Sequence, residues 1–261
     1  MSNSMHDIQN EVDPRNIAID EVGISGLRYP VIFDDGHTRQ HGIADISVTV
    51  GLQAERRGTH MSRMIALVHK EVATLIPQEL PIALKRGLAL LEAPTMAVTL
   101  SLPIATTVTA PASKRQSWQT HDITIMGRIT ADTCTVATTV TTDVTSLCPC
   151  SKAISDYGAH NQRSEITLTV TGTADAPYPL AIHEIIDLLR SVGSAPVLPL
   201  IKRPDERVVT MQAYDHPVFV EDIIRDVSLA CREKGLKHAI RAKNLESIHS
   251  HDAIASLTYT D

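Results

Sequence analysis

The sequence predicts an α+β protein with a largely antiparallel sheet. Segments that alternate like β-strands are rich in Val and Thr, and between them lie stretches whose apolar residues recur at helical spacing. The same order of strands, helices and strands occurs twice along the 261 residues. We therefore predict a polar tail over residues 1–20, a first unit over residues 21–143 and a second unit over residues 144–261.

The elements of the first unit are predicted from alternation, helical spacing and capping residues. In chain order they are a strand-like segment from Arg28 to Leu52, a helix capped by Thr59 with apolar residues from Met61 to Leu75, a helix from Pro81 to Leu91, and β-rich segments Thr95–Thr109 and Trp118–Val144. The tail before them is expected to be flexible or to dock on the unit.

The second unit is predicted in the same way. Its expected elements are a strand from Glu165 to Thr173, a helix from Ile182 that stops at Gly193, a helix with Pro217 in its first turn that ends at Gly235, and strands Lys237–Ala242 and Ala253–Tyr259. The charged run from Lys202 to Arg207 is by default a solvated loop.

The composition limits the possible classes of protein. Hydrophobic residues make up 43% and charged residues 21%, which is normal for a soluble globular protein. A net charge of -6 argues against a general nucleic-acid surface. Four cysteines are too few for a disulfide scaffold, so free thiols are expected. No apolar run approaches the ~20 residues that cross a bilayer, and no signal peptide is recognisable. We expect a cytoplasmic protein without membrane or nucleic-acid partners.

The segment from Ser146 to Ser164 carries the strongest chemical signal. It combines two thiols, an imidazole and two cations with little aliphatic bulk. Cys148 and Cys150 are two positions apart and would face the same side of an extended segment, either as packed thiols or as metal ligands. His160 follows twelve positions after Cys148. This density of groups favours a metal site that handles an anionic substrate.

A second dense segment runs from Asn244 to Asp252. His249 and His251 would project from one face of an extended chain, with Glu246 nearby. The segment is either a polar turn between the last two strands, or a place where one histidine binds metal while the other moves protons together with Glu246. The sequence favours neither alternative.

Cations and carboxylates elsewhere complete the candidate site. Four cations are a possible triphosphate cradle: Lys152, Arg163, Lys202 and Arg203. Glu206 would complete a Cys/His/Glu/His ligand set, which suits Zn²⁺ and also admits Fe²⁺ or Mn²⁺. Glu221 lies near a predicted helix start, where by itself it is an ordinary surface carboxylate that is favourable to the helix dipole.

Taken together, these segments resemble the type IB GTP cyclohydrolases, metal-dependent enzymes of the tunnelling-fold superfamily. The resemblance covers nearly the whole chain. It is carried by residues 58–63 (GTHMSR), the block from Ser146 to Ser164, residues 202–206 (KRPDE), residues 219–222 (FVED) and residues 246–251 (ESIHSH). The block from Cys148 to Ser164 is highly specific, and all five segments occur in order.

The resemblance implies a set of site residues and an assembly. The implied metal ligands are Cys148, His160, Glu206 and His249. It also implies that Glu221 anchors the N1 and 2-amino edge of guanine, a pair of donors that a carboxylate matches. The implied fold is a tandem of β-hairpin and helix-pair units. Subunits of the family assemble into barrels, and a homotetramer with active sites between subunits is expected.

The implied reaction converts GTP and water to 7,8-dihydroneopterin triphosphate and formate, the first step of tetrahydrofolate and pterin biosynthesis. Water activated at a divalent metal is expected to attack C8 of guanine. His251 and Glu246 are the candidates for proton transfer. Cys148 is expected to act both as a ligand and as a catalytic group.

Three alternatives remain at this stage. The first is another tunnelling-fold enzyme, such as a nitrile reductase or a pyruvoyl-tetrahydropterin-type synthase, although the sequence has no dinucleotide fingerprint. The second is a purine-binding protein whose metal is structural and has four protein ligands. The third is a family member whose product is a cyclic phosphate.

Overall fold

The computed structural model describes residues 7–260, apart from the side chain of Asn10. Its helices are α1 Met61–Leu67, α2 Leu80–Leu91, α3 Pro149–Ile154, α4 Ile182–Ser191, α5 Arg203–Asp215 and α6 Val220–Glu233. Its strands are β1 Ile19–Asp34, β2 Arg39–Leu52, β3 Thr74–Leu75, β4 Met96–Thr109, β5 Gln116–Ile129, β6 Cys134–Leu147, β7 Asn161–Thr173, β8 Ala195–Pro196, β9 Lys237–Asn244 and β10 Ala253–Tyr259. The α+β prediction is confirmed.

The strands lie in the order β10-β9-β7-β6-β5-β4-β2-β1-β3, with β8 beside β6. Antiparallel pairing joins β1 to β2, β2 to β4, β7 to β9, β9 to β10 and β6 to β8, whereas the short β3 pairs in parallel with β1. On β7 the residues at alternate positions, from Gln162 through Ile166 and Leu168, are buried. This alternation means that one face of the strand packs in the interior.

The chain divides into two compact units. Within the described residues, unit 1 comprises residues 7–102, 124–137 and 172–178, and unit 2 comprises residues 103–123, 138–171 and 179–260. Strands β4 to β7 each contribute residues to both units. The sequence-based division into residues 1–20, 21–143 and 144–261 followed consecutive stretches of chain, and it stays a prediction.

The strand-like segment predicted from Arg28 to Leu52 is a hairpin of β1 and β2, which begins earlier than predicted, at Ile19. Asp35 makes the turn: its Oδ1 accepts hydrogen bonds from the amides of His37 at 3.0 Å and Thr38 at 2.7 Å. Gly36 has a φ of 89°, a conformation that glycine adopts without steric cost. The Asp-Asp-Gly sequence was therefore a turn signal.

The first predicted helix is shorter than its apolar spacing indicated. Helix α1 follows His60 rather than Thr59, and it passes into a wider π turn over residues 68–72. Leu75, predicted to be helical, lies in β3 opposite Phe33. Helical spacing alone cannot distinguish the α-helix from the π turn and the strand that follow it. A buried residue after the end of a helix can fall at the next position of the same apolar pattern. The second helix, α2, agrees with its prediction to within one residue.

The polar tail and the second β-rich segment also take definite forms. Residues 9–13 run along residues 55–58, with hydrogen bonds from Gly58 N to Gln9 O at 3.2 Å and from Asp13 N to Glu55 O at 2.9 Å. Residues 1–6 of the predicted tail lie outside the described residues. The segment Trp118–Val144 is the hairpin of β5 and β6, with a turn at residues 130–133, where Thr130 N donates to Thr133 O at 2.8 Å.

Two predictions in the second half were wrong. The run from Lys202 to Arg207 is not a loop but the start of α5, where Pro204 occupies the first turn that tolerates it. Helix α6 begins at Val220 rather than around Pro217, because Asp222 accepts a hydrogen bond from Phe219 N at 3.0 Å and so caps the helix there. In residues 7–260, no helix combines the length and hydropathy that a membrane span requires.

Candidate active site

The first part of the site is the connection from β6 through α3 to β7. Cys148 is the N-cap of α3, and its Sγ accepts a hydrogen bond from Ser151 N at 3.4 Å. Its own amide donates to the carbonyl of His160 at 3.0 Å. Gly158, with a φ of 65°, allows the chain to reverse before His160. The backbone therefore places Cys148 and His160 side by side.

His160 is oriented by hydrogen bonds at its backbone and at its ring. Its amide donates to Ser151 Oγ at 3.3 Å, and its Nδ1 lies 2.8 Å from Gln162 Oε1. Only 11% of the side chain is exposed. Among the described residues, Nε2 of this ring has no hydrogen-bond partner. The ring is thus held at Nδ1, and Nε2 remains available to bind a ligand.

The loop between β9 and β10 brings the second dense segment to His160. Glu246 Oε2 is 3.8 Å from His160 Nδ1, which is too long for a hydrogen bond, and this buried oxygen has no hydrogen-bond partner in the part of the chain that the structure describes. The ring of His249 stands edge-on to that of His160, with centroids 6.3 Å apart. His251 stacks on His249 at 5.3 Å. The segment therefore lies beside His160.

The ends of this loop are fixed by an ion pair. Lys243 Nζ on β9 is 2.9 Å from Asp252 Oδ2, just before β10. The hydrogen bond from Lys243 holds the pKa of the Asp252 carboxyl below its usual value. Residues 245–252 are consequently closed into a short loop that presents Glu246 and His249 toward His160.

Glu206 is exposed in the first turn of α5. The preceding residue, Asp205, is fully buried and fixes this turn. Its Oδ1 accepts from the amides of Ala112 at 2.8 Å and Ser113 at 2.7 Å, and its Oδ2 accepts from Ser113 Oγ at 2.6 Å and Lys202 N at 2.9 Å. Burial raises the pKa of Asp205, but these hydrogen bonds outweigh it and bring the pKa well below its usual range.

Helix α5 packs against the rest of unit 2 one turn after Glu206. Val209, three residues after Glu206, packs with Ala159 against the buried cluster of Leu147, Ala195 and Ala213. Residues three apart are neighbours on a helix surface, so Glu206 lies next to the side of α5 that packs on this cluster, and its own side chain is exposed.

The donor types fit a divalent metal, although the side chains are not drawn together. In residues 7–260, no three His, Cys, Asp or Glu side chains are grouped closely enough to hold a metal ion. A thiol, two imidazoles and a carboxylate are nevertheless suitable ligands for Zn²⁺, Mn²⁺ or Fe²⁺. The unpartnered Nε2 of His160 and the adjacent ring of His249 offer two of them. Contacts connect Cys148, His160 and His249, but no contact within the described residues connects Glu206 to them.

The predicted cradle cations occupy different surroundings. Lys152 Nζ donates to Tyr214 O and lies 4.2 Å from the centre of the Tyr214 ring. Arg163 Nε is 3.8 Å from Asp143 Oδ2, and 56% of the Arg163 side chain is exposed. Lys202 and Arg203 are exposed at the start of α5. The structure therefore does not gather the four cations around one point.

Glu221 is exposed in the first turn of α6. Three residues earlier, Val218 N donates to Leu147 O at 3.1 Å, next to Cys148. This bond ties the start of α6 to the start of α3. The capping role belongs to Asp222, so the Glu221 carboxylate is left available at the surface.

A cavity of about 350 Å³ opens beside the first residues of β7. Gln162 and Arg163 line it together with Val197, Ile201 and Val209. Its size falls within the usual range for small-ligand sites. Two larger cavities, of about 580 and 620 Å³, are lined by unit 1, and no predicted site residue lines them.

Sequence reasoning missed the residues that hold the site from behind. They are Ser146, Gln162, Ser164, Asp205 and Asn244. Gln162 and Ser164 were detectable in principle, because they follow His160 at two-residue intervals and so share its face of a strand. The burial of Asp205 and Asn244 depends on contacts with residues distant in sequence, and no local pattern signals it.

Comparison with known proteins gives one consistent family. Residues 5–255 match the model of the family described as type I GTP cyclohydrolase folE2. The chain is 42% identical over 256 residues to GTP cyclohydrolase FolE2 of Bordetella petrii, covering 96% of this chain and 95% of that one. It is 38% identical over 259 residues to GTP cyclohydrolase FolE2 of Neisseria gonorrhoeae, covering 98% and 99%.

Similarity to solved structures concerns the fold alone. The uricase of Arthrobacter globiformis superposes with a TM-score of 0.56 at 7% identity, covering 93% of each chain. A uricase of Bacillus fastidious gives a TM-score of 0.54 at 9% identity, covering 92% of this chain and 93% of that one. The family match spans the connection from Cys148 to His160 and the loop that carries Glu246 and His249, and on this match the chain belongs to the type I GTP cyclohydrolase FolE2 family.

Proposed function

We propose that the chain converts GTP and water to formate and 7,8-dihydroneopterin triphosphate, as a type IB GTP cyclohydrolase in folate and pterin biosynthesis. Family membership over residues 5–255 supports the activity. The observation that carries the proposal is the meeting of the Cys148–His160 connection with Glu246 and His249, which come from distant parts of the sequence. This arrangement joins potential metal ligands to groups that can transfer protons.

We assign one divalent metal, Zn²⁺, Mn²⁺ or Fe²⁺, to each active site. Four residues would hold it: Cys148, His160, Glu206 and His249. A bound metal of this kind lowers the pKa of water, which provides the nucleophile for C8 of guanine near neutral pH. Cys148 Sγ accepts a single long hydrogen bond from Ser151 N, so the thiol would be able to serve as a metal ligand and as a catalytic group without breaking the helix.

His251 and Glu246 are assigned to proton transfer. The Glu246 oxygen is buried beside His160 without a hydrogen-bond partner in residues 7–260, which suits a group that exchanges a proton with the substrate. His251 stacks on His249 and stays exposed, so it can reach substrate from the open side. The two groups would supply protons to the opening ring and remove them from the attacking water.

Substrate recognition is divided among α3, β7 and the starts of α5 and α6. Glu221, free at the first turn of α6, is assigned to the N1 and 2-amino donors of guanine. The triphosphate is assigned to four cations: Lys152, Arg163, Lys202 and Arg203. Lys202 and Arg203 also lie at the N-terminus of α5, where backbone amides favour anions. Lys152 must leave Tyr214 to contribute, since its ammonium group is engaged there.

We propose a cytoplasmic homotetramer of tunnelling-fold barrels with active sites between subunits. Large apolar side chains near the site are exposed: Tyr157 at 94%, Ile154 at 85% and Ile248 at 65%. Exposed apolar groups of this size are typical of interaction surfaces. Strand β10 is at one end of the strand order, so its outer edge can pair with another chain.

The test is anaerobic incubation of metal-stripped protein with GTP and each of the three metals in turn. Formate is measured directly, and the pterin is measured by fluorescence after oxidation. Equal amounts of formate and neopterin triphosphate are expected with at least one metal. Mass spectrometry of the pterin separates the linear triphosphate from a cyclic phosphate. Absence of formate with every metal, while GTP still binds, would contradict the proposal and favour a purine-binding protein.

A further inference from the structure

A buried chain of polar side chains runs behind His160. Gln162 Nε2 is 3.1 Å from Ser146 Oγ, Ser146 Oγ is 2.7 Å from Ser164 Oγ, and Ser164 Oγ is 2.7 Å from Asn244 Oδ1. Gln162 is 8% exposed and the other three residues are at most 4% exposed. We call these four residues the Gln162–Asn244 chain. It joins β6, β7 and β9.

The two ends of the Gln162 amide give its end of this chain a single direction. Ser164 Oγ is the donor toward both Ser146 Oγ and Asn244 Oδ1, so Ser146 Oγ is an acceptor. The amide nitrogen of Gln162 can only donate, and it also donates to Ser146 Oγ. The remaining end of Gln162 is its carbonyl oxygen Oε1, which can only accept.

From this direction we infer that Gln162 is a positioning residue that fixes His160 as the tautomer protonated at Nδ1, with the lone pair on Nε2. The 2.8 Å contact between His160 Nδ1 and Gln162 Oε1 is then a hydrogen bond donated by the ring. Buried polar groups of this kind are costly to leave unpaired, so the opposite tautomer is disfavoured. The Gln162–Asn244 chain thus presets the form of imidazole that binds a metal.

The inference deepens the proposed function, since it assumes that His160 is a metal ligand. Ligating histidines usually donate their other ring nitrogen to a fixed acceptor, and loss of that acceptor costs roughly 10–100-fold in metal affinity. The Gln162–Asn244 chain also connects the segment that carries His160 with the strand that leads to Glu246. Asn244 is the last residue of β9, two positions before Glu246. A purely structural network would stabilise the strands without affecting the ring.

The direct test is ¹⁵N NMR of histidine-labelled, metal-free protein. The His160 resonances are assigned by their loss in His160→Gln. Wild-type protein is expected to show a protonated Nδ1 and a bare Nε2. Gln162→Met, which keeps the volume and removes the acceptor, is expected to shift His160 toward the Nε2-protonated form. A wild-type His160 protonated at Nε2, or no change in Gln162→Met, would overturn the inference.

The second readout is Zn²⁺ affinity of the full-length protein, measured by competition with a chelator. Gln162→Met is expected to bind roughly 10–100-fold more weakly than wild type. Gln162→Glu, whose side chain still accepts from Nδ1, is expected to recover most of that affinity. Unchanged affinity in a folded Gln162→Met protein with a shifted tautomer would overturn the positioning role.

A matched control lies on the same strand. Thr167 Oγ1 is 2.9 Å from Thr141 Oγ1, so this pair links β6 and β7 by side chains without touching His160. Thr167→Val is expected to leave both the tautomer and the Zn²⁺ affinity unchanged. A loss of affinity in this variant equal to that in Gln162→Met would identify a general loosening of the strands and overturn the inference. If His160→Gln binds Zn²⁺ as tightly as wild type does, the proposed metal site is wrong. The tautomer of His160 is still tested by NMR, because that measurement uses metal-free protein.

Discussion

Two regions of unit 2 each hold a histidine among polar groups, and they differ in how many ring nitrogens have a hydrogen-bond partner. In the first, which we call the threonine cluster, His121 Nδ1 is 2.8 Å from Thr142 Oγ1 and Nε2 is 3.1 Å from Thr106 Oγ1. Both nitrogens are satisfied and the residue is 2% exposed. His160 has one nitrogen held and the other available. A histidine with both nitrogens paired is a structural group, and one held at a single nitrogen is prepared for a ligand.

The electrostatic surroundings support the same distinction. Burial, with a further contribution from Arg190, lowers the pKa of His121 to about 4, although Asp122 acts in the opposite direction. His121 is therefore neutral near pH 7 and needs no counter-ion. Its place is in the stability of the sheet and not in chemistry.

The largest expected effect comes from exchanging the two histidines for glutamine in separate variants. His160→Gln is expected to lose more activity and Zn²⁺ affinity than the roughly 10–100-fold that loss of a supporting residue costs, because it removes a ligand. His121→Gln is expected to keep the activity per folded molecule and to lower the free energy of unfolding by about 2 kcal/mol. Steady-state kinetics and urea unfolding measure both. Equal activity losses would remove the distinction between the regions.

The proton-transfer assignment predicts the next largest effect. His251→Asn and Glu246→Gln are each expected to lower kcat by roughly 10²–10⁴-fold, the usual contribution of a general acid or base. Zn²⁺ affinity should change little, since neither residue is assigned as a ligand. A variant that kept wild-type kcat would exclude its residue from proton transfer.

The threonine cluster predicts a pH dependence of stability. The pKa of His121 falls from 6.5 to about 4 on folding, so between these values the unfolded chain binds more protons than the folded protein. The contribution of His121 is complete above pH 6.5 and is lost as the pH falls toward 4, by about 3 kcal/mol at most. Urea unfolding of wild type and His121→Gln at pH 7.5 and 5 measures it. Parallel losses in both proteins would contradict the assignment.

Asp205, which anchors the first turn of α5, is expected to have a smaller effect on metal binding through Glu206. Asp205→Ala removes the acceptor of three hydrogen bonds that join α5 to the turn between β4 and β5, and of a fourth from Lys202 N at the start of α5. We expect a lower melting temperature and weaker Zn²⁺ binding, because the turn that carries Glu206 is no longer fixed. Calorimetry and chelator competition measure these effects. Unchanged Zn²⁺ affinity in a destabilised protein would mean that Asp205 stabilises the fold but does not support metal binding.

The smallest effect is expected from the second thiol. Cys150 is exposed in the first turn of α3, whereas Cys148 caps that helix beside His160. Cys150→Ser is therefore expected to leave turnover and Zn²⁺ affinity as in wild type, and Cys148→Ser to lose both. Similar losses in the two variants would indicate that the two thiols act together, which contradicts this prediction.

The sequence by itself determined the chemistry that is available. The residue types from Cys148 to Ser164, and the histidines near Glu246, were sufficient to predict a metal site, which stays a prediction, and alternation with helical spacing was sufficient for the α+β fold that the structure has. These signals are local, because strand and helix periodicity and ligand types are properties of short segments. The start of α5 escaped this reasoning, since a charged run with Pro204 resembles a loop until Asp205 is known to be buried.

Only the tertiary structure decided which groups meet and in what state. The pairing of β7 with β9 brings Ser164 to Asn244, about 80 residues away in sequence. That contact closes one end of the buried hydrogen-bonded chain behind His160, and at the other end Gln162 Oε1 contacts His160 Nδ1. The same holds for His121, whose sequence context resembles that of any strand histidine. Its two threonine partners come from neighbouring strands, and hydrogen-bond partners across a sheet are fixed by register, which no single segment encodes.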